Sequence, residues 1–328
     1  MIFVKVPLRV SIFGGGTDFP SFYKKEKFGS TLSFSINQYI YITLKRHSKI
    51  FKEKYRFNYS QTETCNSLNK IQNKIIREMI RYYRCDDRLY INTISDIPSS
   101  SGLGSSSSFI VGLMMAFNKY LKLNISEKKL LEQAANFEIN ILKKSIGKQD
   151  HYGCFYKGLN YIKYFDNELV KVESLTLTPP LIKIFNSIQF FWTKLQRESS
   201  SVLKEQNFNA SYNREKLKRM RLITCEVVNR IKNKSINLEI FGRFLNESWD
   251  LKKKLSSNIS NNFIDKALNI AINNSALGGK ILGAGNGGFL MLLSKKKYHK
   301  TISKKMKKLG LDEYKFRMNE DDVLINNF

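Results

Sequence analysis

The stretch DIPSSSGLGSSSSFIVGLMM, from Asp96 to Met115, constrains this chain more than any other. Every residue from Ser99 to Ser107 except Leu103 is serine or glycine, and an apolar run follows at once. The preceding RLYINTIS, Arg88 to Ser95, is β-branched and aromatic and reads as a strand. The small-residue loop therefore joins a strand to a helix expected to start near Ser105. Such a loop offers backbone N–H groups and the positive end of the helix dipole, which together bind phosphate. Gly102 and Gly104 let the backbone approach an anion and adopt positive φ. Serine hydroxyls can cap the helix, contact phosphate oxygens or ligate Mg²⁺. A plain linker would not be bounded by a strand and an apolar helix. No Lys follows the second glycine, so this is not GxxxxGK[ST].

A length of 328 residues suits two domains. The expected boundary lies in LTLTPPLIK, because Pro179 and Pro180 cannot both continue a regular element, giving domains 1–178 and 179–328. YIYITLKRH (Tyr39 to His47) reads as a strand, Asn66 to Tyr83 as helical, SIQFFWTKL as a strand, Glu198 to Asn233 as mostly helical, Asn246 to Lys254 as a helix and GGFLMLLS as a strand. Lys plus Arg number 55 against 28 acidic residues, a net charge of +27 that attracts polyanions or phosphorylated small molecules. The lysines are scattered or in short runs such as SKKKYHK, which also fits an ordinary solvated surface. Four cysteines without CxxC spacing and three histidines without HExxH argue against zinc. Lys5 and Arg9 interrupt the N-terminus before a signal sequence can form, and no apolar run reaches the ~18 residues that span a bilayer. The expectation is a reduced, cytoplasmic protein with no membrane partner.

Three further clusters carry chemistry. In GGKILGAGNGGFLMLL, Gly283, Gly285 and Gly288 have GxGxxG spacing, but a strand follows where a dinucleotide fingerprint needs a helix. The glycines read as a tight loop beside a ligand or the other domain, or as a structural turn. PLRVSIFGGGTDFPSFY places Arg9 in a strand-like segment and Asp18 just past three glycines, which alone is also an ordinary turn and ion pair. SEKKLLEQAANFEINILKK is helical, with Ser126 as N-cap and Leu131, Ala134, Ala135 and Leu142 on one face. Glu138 falls on that apolar face, where a carboxylate must be paired or bound to metal, unless it lies at the edge and meets a lysine. Asp150 follows in IGKQDHYG, a loop after the helix.

Taken in order, the Arg…Asp segment, PSSSGLGSSS, the inward Glu with GKQD, and the late GAGNGG loop resemble the GHMP kinases from Pro7 to Phe289. The resemblance implies an α+β, two-domain fold, with an N-terminal ribosomal-protein-S5-like nucleotide-binding domain and a C-terminal ferredoxin-like domain. It implies ATP and Mg²⁺ as cofactors. Ser100, Ser101, Gly102, Leu103, Gly104, Ser105, Ser106 and Ser107 would wrap the ATP phosphates, and Ser106 with Glu138 would hold the metal. Asp150 matches the family's aspartate beside the attacking hydroxyl, Arg9 would pair with it or with the transferring phosphate, and Gly15, Gly16, Thr17 and Asp18 would bind the substrate. PLRVSIFGGGTDFP, GKQDHYGCFYKGLNYI and RESSSVL look most like members that phosphorylate the anomeric hydroxyl of a sugar phosphate. The partner implied is then a small-molecule sugar phosphate, the enzyme a monomer or homodimer. Lys194 and Arg197 are candidate ligands for a second phosphate. Gly15 and Gly16 stand where galactokinases carry Glu-His, His151 stands where Gln is expected, and Asn286 replaces a glycine. The alternatives are a galactose, fucose or mevalonate kinase of this family, a ligand-binding module without turnover, and a basic nucleic-acid-binding protein. Arg9, Glu138 and Asp150 together argue against the module, and no RNP, KH or zinc-finger signature supports nucleic acid as a partner.

Overall fold

The computed structural model describes residues 1–196 and 199–327. Two sheets organise them. The first carries strands β1 (Ile2–Phe13), β2 (Phe28–Arg46), β3 (Tyr55–Asn58), β4 (Thr62–Cys65), β5 (Leu89–Ser95), β6 (Leu159–Phe165) and β7 (Val170–Leu175). The second carries β8 (Ile188–Trp192), β9 (Ala276–Ile281), β10 (Phe289–Ser294) and β11 (Asp312–Tyr314), and β12 (Leu324–Asn327) returns to pair with β1 in the first sheet. The order β11-β8-β10-β9 is antiparallel, with helices between β8 and β9 and between β10 and β11, which is the ferredoxin-like arrangement.

The 19-residue β2 is the spine of the first sheet. Its C-terminal half pairs with β5 and its N-terminal half with β6, while β1 runs along its length. The second half of β1 is buried, because helices Ser105–Tyr120 and Gln149–Phe155 pack against it and helices Arg214–Lys232 and Leu238–Lys253 touch it as well. That is why PLRVSIF reads as a nearly continuous apolar run rather than a strict alternation. Register irregularities between Pro7 and Leu8 and between Ser11 and Phe13 bracket Arg9. Bulges of this kind re-aim side chains beside functional sites.

Several sequence expectations are corrected in detail. Pro179 and Pro180 do not break regular structure; they open helix Pro179–Phe185, where the first turn needs no intrahelical N–H donors. The helix expected over Asn66 to Tyr83 is shorter, Lys74–Tyr82, and Asn73 caps it by accepting from the Ile76 N–H. The helical stretch after Glu198 is two helices, Ser199–Phe208 and Arg214–Lys232. The helix expected from Asn246 begins earlier and spans Leu238–Lys253, because Asn237 caps it. Ser126 caps its helix as expected, accepting from the Lys129 N–H, but α-helical geometry gives way to one π-helical turn over Phe137–Ile141. Single π turns often mark functional sites, and this one carries Glu138.

Candidate active site

The apolar run Phe109–Phe117 drives helix Ser105–Tyr120 against the first sheet so closely that a Cβ at Gly112 would lie 2.8 Å from Ile42 Cδ1. The helix start is thereby fixed over β1. Gly104 is the N-cap residue at φ +77, in the left-handed region that glycine tolerates, and no side chain caps the helix. The first-turn N–H groups of Ser105, Ser106 and Ser107 have no intrahelical partners. Ser99, Ser100, Gly102, Gly104, Ser105, Ser106 and Ser107 line a cavity of about 1020 Å³. Leu103 and Ser101, expected at the phosphates, are buried and turn inward instead. The Leu103 carbonyl accepts the Arg9 N–H at 3.1 Å, and the Ser101 carbonyl accepts the Phe289 N–H at 3.3 Å. These two residues hold the loop on the sheets while its glycines and other serines face the cavity.

The late glycine cluster meets this loop directly. A Cβ on Gly102 would lie 2.6 Å from the Leu282 carbonyl oxygen, and one on Gly283 would lie 2.6 Å from Gly102 Cα. The cluster braces the first loop and lines the same cavity through Gly283, Gly285 and Gly287. Asn286 takes φ +60, and its side chain accepts from Asn261 at 2.8 Å.

Arg9 and Asp150 meet at the junction. The Arg9 Nε–H donates to Asp150 Oδ1 at 2.9 Å, Nη2 lies 2.7 Å from the same oxygen, and Nη1–H donates to the Gly102 carbonyl at 2.8 Å. Asp150 is not in a loop, as its sequence context led one to expect. It stands in the first turn of helix Gln149–Phe155, packed on β1, and it lines the cavity.

Glu138 is buried at the start of helix Ser105–Tyr120. Its Oε1 accepts from the Ser106 hydroxyl at 2.6 Å and from Lys144 Nζ at 3.0 Å, and its Oε2 accepts from the Ser107 hydroxyl at 2.7 Å. His151 Nε2 lies 2.9 Å from Oε2. Burial alone would raise this carboxyl, but the hydrogen bond and charge of His151, the Lys144 ammonium and the Ser106 hydroxyl outweigh it and hold Glu138 well below the usual carboxylate range. The side chain is therefore ionised at neutral pH. Its face of the helix is buried, as the apolar periodicity indicated, and the lysine contact is present as well.

The Gly14–Asp18 loop forms the other end. Asp18 accepts from the Gly16 N–H at 2.9 Å and from the Gln149 N–H and Nε2–H, each at 3.2 Å. Burial raises its carboxyl from the ordinary value, against the lowering hydrogen bond from Gly16 and with the Asp150 charge adding to the rise. Gly15, Gly16 and Asp18 line the cavity. Thr17 does not belong with them: its fully buried hydroxyl lies 2.8 Å from the Gly14 carbonyl and 2.9 Å from that of Ser30, and it accepts the Ser30 N–H at 3.0 Å. It closes the loop onto β2.

Sequence reasoning missed several side chains that the fold brings here. Gln149 bridges Asp18 and the Ser11 hydroxyl, which donates to Gln149 Oε1 at 2.7 Å. Lys144 lies over Ser106 and Glu138, and Lys252 enters from helix Leu238–Lys253 to donate to the Gly283 carbonyl at 2.7 Å. Burial lowers the Lys252 amine to about 8, with the Asp18 carboxylate opposing that shift and the Arg9 charge adding to it. Lys280 is buried behind it on the carbonyls of Ser11 and Ile12. Lys194 lies instead with Asp312 at 3.0 Å, away from the cavity lining, and Arg197 is outside the described residues.

Among the described residues no group of three or more His, Cys, Asp or Glu side chains could hold a metal unaided. The Ser106 and Glu138 oxygens do fit Mg²⁺, which takes one or two carboxylates together with phosphate oxygens and water. Lys144, more than a third exposed, covers the pair from the cavity side.

A glycine-flanked helix start with free N–H groups, a Ser–Glu pair whose oxygens suit Mg²⁺ and an arginine-held aspartate thus share one cavity, and the chain's relatives place it among phosphotransferases with an alcohol acceptor. The chain belongs to the GHMP kinases: the profile of the GHMP kinases N terminal domain matches residues 69–158, and that of GHMP kinases C terminal matches residues 230–310. It is 28% identical over 308 residues, 87% of each chain, to a D-glycero-alpha-D-manno-heptose 7-phosphate kinase of Campylobacter jejuni subsp. jejuni serotype O:2. It is 23% identical over 306 residues to a mevalonate kinase of Saccharolobus solfataricus, covering 89% of this chain and 90% of that one. The crystal structure of a D-glycero-D-manno-heptose 1-phosphate kinase from Bacteriodes thetaiotaomicron superposes with a TM-score of 0.78 at 22% identity, over 100% of this chain and 99% of that one. Both domains of the fold are thus those of the family. Among the described residues no helix is long and apolar enough to cross a membrane, and the four cysteines are unpaired.

Proposed function

We propose that this GHMP kinase transfers the γ-phosphoryl group of ATP to the anomeric hydroxyl of D-glycero-D-manno-heptose 7-phosphate, giving the 1,7-bisphosphate. The observation that carries the reading is Asp150, held by Arg9 at the point where both glycine loops meet. In this reading the nucleotide phosphates lie on the N–H groups at Ser105–Ser107, with Tyr59, Ile75, Ile94 and Pro98 of the cavity lining offering apolar surface to the base. Asp150 accepts the acceptor's proton, and an anomeric hydroxyl, more acidic than an ordinary alcohol, suits a carboxylate base. Arg9 keeps Asp150 charged and oriented. Ser106 and Glu138 would hold Mg²⁺, which would supply neutralisation of the phosphate charge. Asp18 and Gln149 present hydrogen-bonding groups to the sugar. Residues 1–178 supply the nucleotide side and 179–328 the second domain, with β12 reaching back.

Support for a phosphorylated acceptor comes from two sides. A relative 28% identical over 87% of each chain is by its name a heptose 7-phosphate kinase, and the Gly15–Gly16 segment lines the cavity with no side chain where an acidic one would repel a phosphate. The test is kcat/KM across heptose 7-phosphate, free heptose, galactose, fucose and mevalonate. Heptose 7-phosphate should lead, with free heptose at least ~10²-fold poorer, because a site built for a charged group rejects the analogue that lacks it. Preference for galactose or mevalonate, or equal use of both heptoses, overturns the proposal.

A further inference from the structure

Lys252 is a cavity cation to which the preceding reaction scheme gives no role. It is buried, on the last turn of helix Leu238–Lys253, and its ammonium donates to the Gly283 carbonyl at 2.7 Å. Arg9 makes the matching bond on the other loop, donating to the Gly102 carbonyl at 2.8 Å. Because Gly102 and Gly283 are in backbone contact, the two cations, one from β1 and one from helix Leu238–Lys253, are both fixed to one glycine ridge. Lys252 also faces the acceptor end, since its Nζ lies 3.6 Å from where a Cβ on Gly15 would stand. The charged groups around it are Arg9 of β1, Asp18 of the following loop, Asp150 of helix Gln149–Phe155 and Lys280 of β9. Burying an ammonium against one carbonyl costs free energy that a methionine of similar length would not. The fold therefore gains nothing from the charge itself.

We infer that Lys252 is a catalytic residue that, with Arg9, clamps the transferring phosphoryl group from the C-terminal side. The inference rests on the site being a phosphoryl-transfer centre and is independent of which sugar accepts. In the step, the acceptor oxygen bonds to the γ-phosphorus and the bond to the β,γ-bridging oxygen breaks. Its electron pair leaves with ADP, and the hydroxyl proton passes to Asp150. Negative charge on the group in flight lies on its equatorial oxygens, and preorganised cations there act where the charge develops. Lys252 exchanges the Gly283 carbonyl for one of these oxygens. Arg9 and Lys252 must both be charged, and burial brings the Lys252 amine to about 8. As pH rises through that value Lys252 loses its proton, so kcat/KM falls on the alkaline side, whereas below it the charge is retained.

The test compares the full-length wild type with Lys252→Met and Lys252→Arg by turnover, Tm and affinity for ADP with aluminium fluoride, a mimic of the group in flight, in the presence of Mg²⁺ and without acceptor. For Lys252→Met, kcat should fall roughly 10²–10³-fold, the usual effect of losing one such donor. KM for ATP should change by less than about threefold, and Tm should hold or rise. ADP–aluminium fluoride should bind more weakly while ADP alone is unaffected. Lys252→Arg should recover part of kcat and displace the alkaline limb upward. Wild-type turnover in Lys252→Met overturns the inference, as does a loss that tracks a lower Tm with unchanged aluminium fluoride affinity. If the wild type phosphorylates none of the sugars tried, the substrate reading fails, while the aluminium fluoride measurement still judges Lys252.

Discussion

Asp150→Asn keeps the size of the side chain and removes its charge, which separates proton transfer from architecture. General-base catalysis is typically worth about 10²–10⁴ in rate, or about 3–5 kcal/mol of barrier at 1.36 kcal/mol per factor of ten. The structural penalty is smaller. Asp150 Oδ1 receives Arg9 Nε at 2.9 Å and Nη2 at 2.7 Å, and an asparagine oxygen can still accept there. What disappears is the counter-charge to a guanidinium only 4% exposed, which keeps the Gly102 carbonyl as a partner. Charge-assisted hydrogen bonds contribute ~1.5–3 kcal/mol, and a carboxylate 25% exposed belongs in the lower part of that range. With an unfolding entropy of about 0.7 kcal/mol per kelvin for a chain this long, ~1.5 kcal/mol corresponds to a Tm decrease of about 2 °C. The assay is rapid-quench measurement of phosphoryl transfer beside calorimetric titration of ATP. ATP affinity should stay within about threefold of wild type while transfer slows by at least ~10². Transfer near the wild-type rate would remove Asp150 from proton transfer and refute the reasoning.

Three other perturbations follow from the same geometry. Glu138→Gln should raise the Mg²⁺ concentration for half-maximal rate by at least ~10-fold with a small change in Tm; unfolding with unaltered Mg²⁺ dependence would make Glu138 purely structural. Gly102→Ala places a Cβ 2.6 Å from the Leu282 carbonyl oxygen at φ +82 and should part the two glycine loops, with a stability loss of ~1–3 kcal/mol and a raised KM for ATP. Unchanged ATP affinity in that variant would mean that the loop contact does not shape the nucleotide site. A Cβ on Gly15 would meet only ordinary contacts at 3.4–3.8 Å, Lys252 Nζ among them, so in Gly15→Glu the carboxylate can pair with Lys252 and slow both sugars, while its repulsion of a 7-phosphate should add a further loss for heptose 7-phosphate; equal impairment would reduce these glycines to a turn. Gly16 is a poorer probe, because at φ +105 any side chain strains the backbone for both sugars.

Local chemistry made the serine–glycine loop legible: a strand, a run of small residues and an apolar helix can be ordered from composition alone. Glu138 was legible for a related reason, since a carboxylate in phase with Leu131 and Ala134 must be buried with partners. What one sequence hides is inward or outward direction within a loop. Ser101 and Leu103 alternate with residues that face the cavity, and only their contacts with Arg9 and Phe289 decide which way each turns. Thr17 resembles its cavity-lining neighbours in composition yet closes onto Ser30. Lys252 was invisible because a lysine near a helix C-terminus is ordinarily a solvated one, and its burial depends on Gly283, 31 residues further along the chain. The return of β12 to β1 pairs residues from opposite ends of the chain, and no local periodicity encodes that.

The most direct test of the central claim is the product itself, read by ³¹P NMR after incubating the enzyme with Mg²⁺, ATP and D-glycero-D-manno-heptose 7-phosphate. The account predicts stoichiometric ADP and a new anomeric phosphate resonance coupled to H1, with the 7-phosphate signal retained. Phosphate appearing on any other hydroxyl, or ATP hydrolysed with the sugar left unmodified, would contradict it.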